Sequence, residues 1–522
     1  MRPIDFFDKG VDLAGDRLAL IEGDMRMTFR ELRDETFRFA AALRRDGAAP
    51  QTTVALYGPN HWSILVALLG LWRADCKWIP VNARNALDAN IQYLNYVGCE
   101  RLFYHSSKAA DAEAIRASVP SLKSLICLDQ ENGGDPSLEA YLSGLLPSDY
   151  VDEVDCFGAL DDIVGIFATG GTTGPSKGVQ VTNLGWGTMM ATAAAAFDIP
   201  ERDKVTLVTA PLTHAAGPVS TVTLSLGSTN VIMPGFDAGE VLKNIEKHRV
   251  THMFLPPTAV YALLDHPDLA RTDTSSLRTF LVAGSPIAPD KLRQAVEAFG
   301  PCMCQSYGQV EAPMILTWLD QATIAAAAAG DHPQRLASCG RASSHVRLGV
   351  MDDDGNLLGT GVPGEIVARG PLVSLEYYQM PDVTAEVHRD GWHHTGDVAY
   401  RDEDGYFYIV DRKKDMIVTG GFNVFSAEVE AVVMELPEVM EAAVIGVPDP
   451  KWGEAIKALI VPAAGATVDV ERVIAHCKAR LGGVKAPKSA DVVESLPKTA
   501  AGKMDKKAIR APYWAGAGRN VG

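Results

Sequence analysis

The chain predicts an α/β protein: a large N-terminal domain of layered parallel sheets and helices with a small β-rich subdomain, then a small mobile α+β C-terminal domain. Three observations carry this. Short apolar strands alternate with helical patterns over the first 300 residues, which implies parallel sheets covered by helices. After Arg335 the texture changes to strands joined by Asp-Gly turns. From Arg412 onward strands and helices form a compact unit of domain size. At 522 residues the chain is also too long for one ordinary core. The expected domains are 1–411, with the β-rich part at about 335–411, and 412–522.

Taken in order, "TFRELRDETFRFAAALRRDG" has helical spacing and "TVALYG" reads as a strand. The helix "NHWSILVALLGLWRADC" and the strand "KWIPVN" follow. "DDIVGIFATGG" is a strand running into a glycine loop. "KVTLVTAP", "NVIMPG", "HMFLPP" and "TFLVAG" are short buried strands, with "AGEVLKNIEKHRV" and "APDKLRQAVEAFG" as helices between them. "HVRLGVMDDDGNLLG", "GEIVARG" and "VAYRDEDGYFYIVDR" supply the β-rich part. In the last module "SAEVEAVVMELP" and "DVERVIAHCKARLG" are helices, and "VMEAAVIGVPD" and "AIKALIVPA" are strands. Ser426 is placed to cap the first of these helices.

Composition excludes several classes. The first ten residues are partly acidic with no apolar run, so no signal peptide is expected. Ile64 to Trp72 is too short for a bilayer and reads as a buried helix, so a cytoplasmic protein without a transmembrane segment is expected. The eight cysteines complete no zinc pattern, and Cys302 and Cys304 read as buried thiols. A net charge of −17 argues against nucleic acid. From Arg412 to the end, 16 Lys plus Arg face 13 Asp plus Glu, a net of +3, leaving −20 on the rest. That tail is either an anion-handling module or an ordinary lysine-rich surface.

"FATGGTTGPSKGV", residues 167–179, is the stretch with the most chemistry. It is not a Walker A motif, because Gly178 follows Lys177 where Ser or Thr would be needed. Its glycines let backbone N–H groups converge on an anion, the hydroxyls of Thr169, Thr172 and Thr173 can donate, and Lys177 adds a charge. Read alone, it is a phosphate loop or a mobile turn.

"TGGTTGPSKG" resembles the phosphate loop of the adenylate-forming superfamily: acyl-CoA synthetases, aryl-CoA ligases, luciferases and peptide-synthetase adenylation domains. Gly170 and Ser176 stand where that family usually has Ser or Thr and Pro. Further motifs follow in the family's order up to Lys503. "SYGQVEA" resembles Y-G-x-T-E, with Tyr307 for adenine, Glu311 for Mg²⁺ and Val310 in place of the usual Thr. "GWHHTGD" resembles W-x-x-T-G-D, whose Asp, here Asp397, binds ribose; a carboxylate can accept two hydroxyl hydrogen bonds. "DRKKDMIVTGGFNVFSAEVE" looks like the block in which Arg412 contacts ribose, Lys414 is the hinge, and Gly420 and Gly421 line the pantetheine channel. "LPKTAAGKMDK" resembles the block that carries the adenylation lysine, Lys503.

The resemblance implies an ATP site of Thr169, Gly170, Gly171, Thr172, Thr173, Gly174, Lys177, Gly284, Ser285, Gln305, Ser306, Tyr307, Gly308, Gln309, Val310, Glu311, Asp397, Arg412 and Lys503, with Thr169 and Glu311 toward the metal. "PLTHAAG" and "AGSPI" correspond to acid-site blocks, giving His214, Ala215, Gly217, Ala283 and Gly284. Gly420, Gly421, Trp452, Lys485 and Lys488 match the CoA path, where Ala486 stands at a sometimes basic position. Catalysis is expected from Lys503, Lys177, Glu311 and His214.

The implied reaction has two steps. A carboxylate attacks the α-phosphate of ATP, giving acyl-AMP and pyrophosphate, and CoA then displaces AMP to give acyl-CoA. The first step needs positioning and electrostatic stabilisation. The second needs the C-terminal domain to swing about Lys414. Small residues such as Ala215, Ala216 and Gly217 leave room for a fatty, aryl-propenoic or alicyclic acid. No Asp lies between Thr209 and Leu226 to hold an amino group, against an amino-acid substrate. The alternatives are an adenylation enzyme that loads a carrier protein, a luciferase-like oxygenase, and a non-catalytic nucleotide-binding regulator. A homodimer is the default expectation.

Overall fold

The computed structural model describes residues 1–152, 159–169, 177–197, 204–498 and 504–515, apart from the side chain of Asn423. The chain forms two compact units. One comprises Met1–Thr169, Pro175–Leu348 and Ala368–His393, the other Gly170–Gly174, Gly349–Val367 and His394–Gly522.

The first unit holds a seven-stranded sheet in the order Glu376–Tyr377, Lys177–Thr182, Ile163–Thr169, Lys77–Val81, Thr53–Tyr57, Arg101–Tyr104, Ser124–Cys127. The last five run parallel. Thr53–Tyr57 is buried throughout, as expected of a parallel strand covered on both faces. A second set of parallel strands runs in the order Met303–Tyr307, Thr279–Val282, His252–Leu255, Val205–Val208, Thr229–Ile232, Leu18–Glu22. Thr317–Leu319 and Met25–Thr28 add antiparallel at its two ends.

The helices follow local rules. Phe29–Arg45 opens on a capping box: Thr28 Oγ1 accepts from Glu31 N, and a Glu31 carboxylate oxygen accepts from Thr28 N at 2.7 Å. Its buried face, Phe29, Leu32, Thr36, Phe39, Ala40 and Leu43, follows the helical period. The stretch expected as a buried helix is Trp62–Arg73, buried from Ser63 onward. No helix among the described residues is long and apolar enough to cross a membrane. Helix Pro3–Ala14 carried no marked signal, yet it packs tightly. A Cβ on Gly10 would lie 2.1 Å from the carbonyl oxygen of Leu224, so only glycine allows this approach to helix Ala216–Ser225.

The seven described cysteines are free. Burial pushes the Cys302 thiol up to about 12 and that of Cys304 well above its ordinary value, so both stay protonated and unreactive.

In the second unit, Trp392–Arg401 and Tyr406–Arg412 pair antiparallel around an Asp-Gly turn. A five-stranded sheet follows, built around Gly453–Pro462, which pairs antiparallel with Val439–Asp449 and parallel with Ser489–Val492. Alternate residues divide between its faces. Val444, Ile456, Ala458 and Ile460 pack under helices Ser426–Val433 and Val470–Lys485. Ala443, Ile445, Leu459 and Val461 pack against Ile509 of helix Lys506–Trp514. Lys498 and Met504 form an isolated antiparallel bridge, and Asp505 N donates to Pro497 O at 2.9 Å.

Ser426 does not cap its helix. Phe425 holds that position without a side-chain bond, and Ser426 is the first helical residue. A stronger acceptor captures its hydroxyl, which donates to Asp411 Oδ2 at 2.8 Å and receives Lys506 Nζ at 2.6 Å.

Arg73 closes helix Trp62–Arg73 with its side chain 1% exposed. It donates to Asp8 at 2.6 and 3.0 Å and to Thr36 Oγ1 at 2.8 Å, and its guanidinium lies 3.9 Å from the centre of the Phe37 ring. Removing one partner strands the other, and Asp8 keeps some solvent. Arg73→Leu is expected to destabilise the protein by about 3 kcal/mol, the lower end of the range for a broken buried pair. The check is a lower urea midpoint at unchanged slope.

Candidate active site

The glycine-rich stretch connects two antiparallel strands. Thr169 pairs with Lys177, Ala168 with Gly178 and Phe167 with Val179. The connecting residues Gly170, Gly171, Thr172, Thr173, Gly174 and Ser176 lie outside the described residues, as does Lys503. The described ends fix Thr169 and Lys177 as neighbours.

Tyr377 links Lys177 to Glu311. The Lys177 ammonium lies 5.5 Å from the centre of the Tyr377 ring. The Tyr377 hydroxyl donates to Glu311 Oε1 at 2.5 Å. Burial, reinforced by Glu311, raises the phenol pKa, so Tyr377 stays a neutral donor. Tyr377 reaches this place because Glu376–Tyr377 pairs with Lys177–Thr182, in the register Tyr377↔Val179 and Glu376↔Gln180. Gln180 Nε2 also donates to Glu376 Oε1 at 2.7 Å, and Ser374 N to Glu311 O at 2.7 Å. Tyr377 went unmarked in the sequence reading: a two-residue strand leaves no periodic signal.

The Glu311 turn is tight. Gln309 N donates to Ala312 O and Ala312 N to Gln309 O, at 3.1 and 3.3 Å. Gly308 must be glycine, since a Cβ would lie 2.7 Å from Met314 backbone carbon. Gln309 Oε1 lies 3.3 Å from His393 Nε2, and Tyr307, Gly308, Gln309, Val310 and Glu311 are all half-buried.

Gln305 and Ser306 sit at the carboxyl end of their strand, where Gln305 pairs with Val282. That register sets Ala283, Gly284 and Ser285 beside them. Gly284 has φ +93°, and a Cβ there would meet nothing within 4 Å. Gln305 Nε2 and Ser306 Oγ are buried without a hydrogen-bond partner. Buried groups left this way cost about 1–3 kcal/mol each. Strand carboxyl ends are also where open α/β sheets bind ligands.

His214 faces solvent but is crowded by protein, as a group lining a concave surface is. That crowding, with the positive charge of Arg84, lowers its pKa from 6.5, so the imidazole is neutral at pH 7. Its Nδ1 lies 3.2 Å from Thr213 Oγ1. Ala215 is exposed and Gly217 buried. The side chain that Gly217 lacks would fall 2.3 Å from Leu212 O and 3.3 Å from the Trp78 ring, so close packing demands glycine there.

In the second unit Asp397 and Arg412 are paired across two strands, with Arg412 Nε 3.4 Å from Asp397 Oδ1. Lys413 N donates to Gly396 O at 2.8 Å. Buried Glu365 ties the same two segments, accepting from Gly396 N at 2.9 Å and Lys413 Nζ at 3.2 Å, with His394 Nδ1 3.1 Å away. Burial would raise the Glu365 pKa, but these partners outweigh it and hold it below the ordinary range. Asp411 accepts from Arg412 N, Ser426 N and Ser426 Oγ. Arg510 donates to the carbonyl oxygens of Lys414 and Asp415 at 2.9 and 3.2 Å.

Of the CoA-path set, the structure brings Gly420 and Trp452 together. Gly420 N donates to Trp452 O at 2.8 Å, and a Gly420 Cβ would lie 2.5 Å from the indole. Gly420 and Gly421 have φ +56° and +82°, which favours glycine. Trp452 is 43% exposed. Lys485 is held by Glu428 at 2.7 Å, and Lys488 Nζ by Gly483 O.

Residues 7–378 match the model of the AMP-binding enzyme family, and 428–503 that of the AMP-binding enzyme C-terminal domain. A medium/long-chain-fatty-acid–CoA ligase of Mycobacterium tuberculosis (strain ATCC 25618 / H37Rv) is 38% identical over 519 residues, taking in 96% of this chain and 88% of the relative. The feruloyl-CoA synthase of an Amycolatopsis species is 36% identical over 95% of this chain and 96% of the relative. Among solved structures, the amide bond synthetase McbA from Marinactinospora thermotolerans superposes with a TM-score of 0.87. It has 30% sequence identity and covers 98% of this chain and all of its own.

The crowding around His214 has a measurable consequence. An NMR titration of its ring is expected to give a midpoint below 6.5, and Arg84→Gln is expected to move that midpoint upward by removing a like charge.

Proposed function

The chain belongs to the AMP-binding enzyme family, as an AMP-forming acyl-CoA synthetase, and from this premise we propose that it joins a carboxylic acid with an apolar body to coenzyme A. A fatty acid is the first choice and an aryl-propenoic or alicyclic acid the next, in keeping with relatives named for medium/long-chain fatty acids and for ferulate. The observation that carries this class is at the acid-site block. Neutral His214 is the one titratable side chain from Thr209 to Leu226, so that stretch offers no carboxylate to hold an amino group.

In the adenylation step we assign the adenine to Tyr307 and the Ala283–Ser285 turn, where the unpartnered groups of Gln305 and Ser306 give a polar ligand two hydrogen bonds to complete. Asp397 and Arg412 take the ribose, and the loop from Thr169 to Lys177 takes the phosphates. Lys503 stabilises the charge on the α-phosphate as the carboxylate attacks. Pyrophosphate leaves and acyl-AMP forms.

Glu311, toward Thr169, would hold Mg²⁺. The donor set fits, because this ion is usually bound through one or two carboxylates plus substrate phosphates, and the described residues hold no cluster of three ligands to suit a tighter metal site. When bound, Mg²⁺ offsets phosphate charge.

In the second step the CoA thiol attacks the acyl carbon and AMP leaves. The C-terminal residues turn about Lys414, withdrawing Lys503 and presenting Gly420, Gly421, Trp452 and Lys488 to CoA. Lys485 would join them only by giving up Glu428.

The test is pyrophosphate release with a panel of octanoate, palmitate, ferulate and an amino acid, with and without CoA. Release with the apolar acids and thioester formation with CoA are expected. Release with the amino acid alone would overturn the reading. Lys503→Ala should lower pyrophosphate release by about 10²-fold or more, while thioester formation from supplied acyl-adenylate persists. Equal loss in both halves would reject the role given to this lysine.

A further inference from the structure

We propose that Tyr377 is a positioning residue that aims the carboxylate of Glu311 and keeps it from pairing with Lys177. The inference rests on the reading above, in which Glu311 faces Mg²⁺ and Lys177 the phosphates.

Two opposite charges on neighbouring loops ordinarily close into an ion pair, and each then loses much of its pull on a ligand. Glu311 and Lys177 form no such pair, and among the described residues neither has another charged partner. Tyr377 lies between them and engages each with a different part of one side chain. Its hydroxyl takes the anion at 2.5 Å. Its ring takes the cation at 5.5 Å, within cation–π range. A hydroxyl and an aromatic ring bring no opposing formal charge to either partner, as an ion pair would. The hydrogen bond uses Oε1 of Glu311, and among the described residues no hydrogen bond is made to Oε2.

The spacer is held firmly. Tyr377 is 7% exposed and pairs in register with Val179, two residues along from Lys177. Tyr378 N donates to Gly178 O at 2.7 Å on one side, and Ser374 N to Glu311 O at 2.7 Å on the other. The segment is thus bonded both to the strand that begins with Lys177 and to the backbone of Glu311.

Two variants separate the functions of the side chain. Tyr377→Phe removes the hydroxyl and keeps the ring; Tyr377→Leu removes both. Binding of Mn²⁺ in the presence of non-hydrolysable ATP, read by electron paramagnetic resonance, should weaken about tenfold in Tyr377→Phe, the scale of one hydrogen bond to a charged group. The Mg²⁺ concentration for half-maximal pyrophosphate release should rise by a similar factor. Thioester formation from supplied acyl-adenylate should stay within about twofold, since that step does not draw on Glu311 or Lys177. Tyr377→Leu should add a loss of ATP affinity as Lys177 turns to Glu311. Unchanged Mn²⁺ binding in Tyr377→Phe would overturn the proposal, as would equal loss in both half-reactions, which marks a merely structural residue. Absence of ATP-dependent pyrophosphate release by the unaltered enzyme would instead reject the assigned reaction; the Mn²⁺ measurement would still decide the role of Tyr377 toward Glu311.

Discussion

The pairing of two residues, Glu376 and Tyr377, with the strand Lys177–Thr182 is the constraint on which the site of the first unit depends. It joins parts of the chain about two hundred residues apart. Each backbone hydrogen bond contributes only about 1 kcal/mol net. Their value is geometric: they fix a side chain whose hydroxyl and ring serve two different partners. Lys177–Thr182 runs antiparallel beside the parallel strands, and Glu376–Tyr377 covers part of its outer edge, which would otherwise be open.

The second unit solves a similar problem with buried carboxylates. Asp411, at the end of strand Tyr406–Arg412, accepts three donors, two of them from Ser426. Lys506 bonds the same serine and pairs with Glu430 at 2.8 Å. Glu430 is desolvated enough that its pKa rises, yet it also accepts from Val444 N at 2.7 Å. Such a network is costly if any member is missing, which gives it directional strength rather than bulk stability. Glu365 plays the same part around Gly396 and Lys413.

Much of the fold was legible because periodicity carries it. The strands Thr53–Tyr57 and Thr279–Val282 and the helix Phe29–Arg45 stand where apolar spacing put them. Motif order gave the family. What escaped was set by tertiary contact. Tyr377 has no local pattern, and its partners are distant in sequence. Ser426 has the right chemistry for a cap, but Asp411 outcompetes the helix end for it. Gly217 was read as room for the acid; its space is filled by Leu212 O and Trp78. Lys485 matches the CoA path in sequence, and nothing local announces that Glu428 already holds it. Sequence shows which groups are present, and only folding shows which are already engaged.

Lys498 bridges to Met504, and Asp505 is tied back to Pro497 beside that bridge. Asp505 also caps helix Lys506–Trp514, accepting from Ala508 N, so the start of the last helix and the segment at Pro497 are tied to melt together rather than separately.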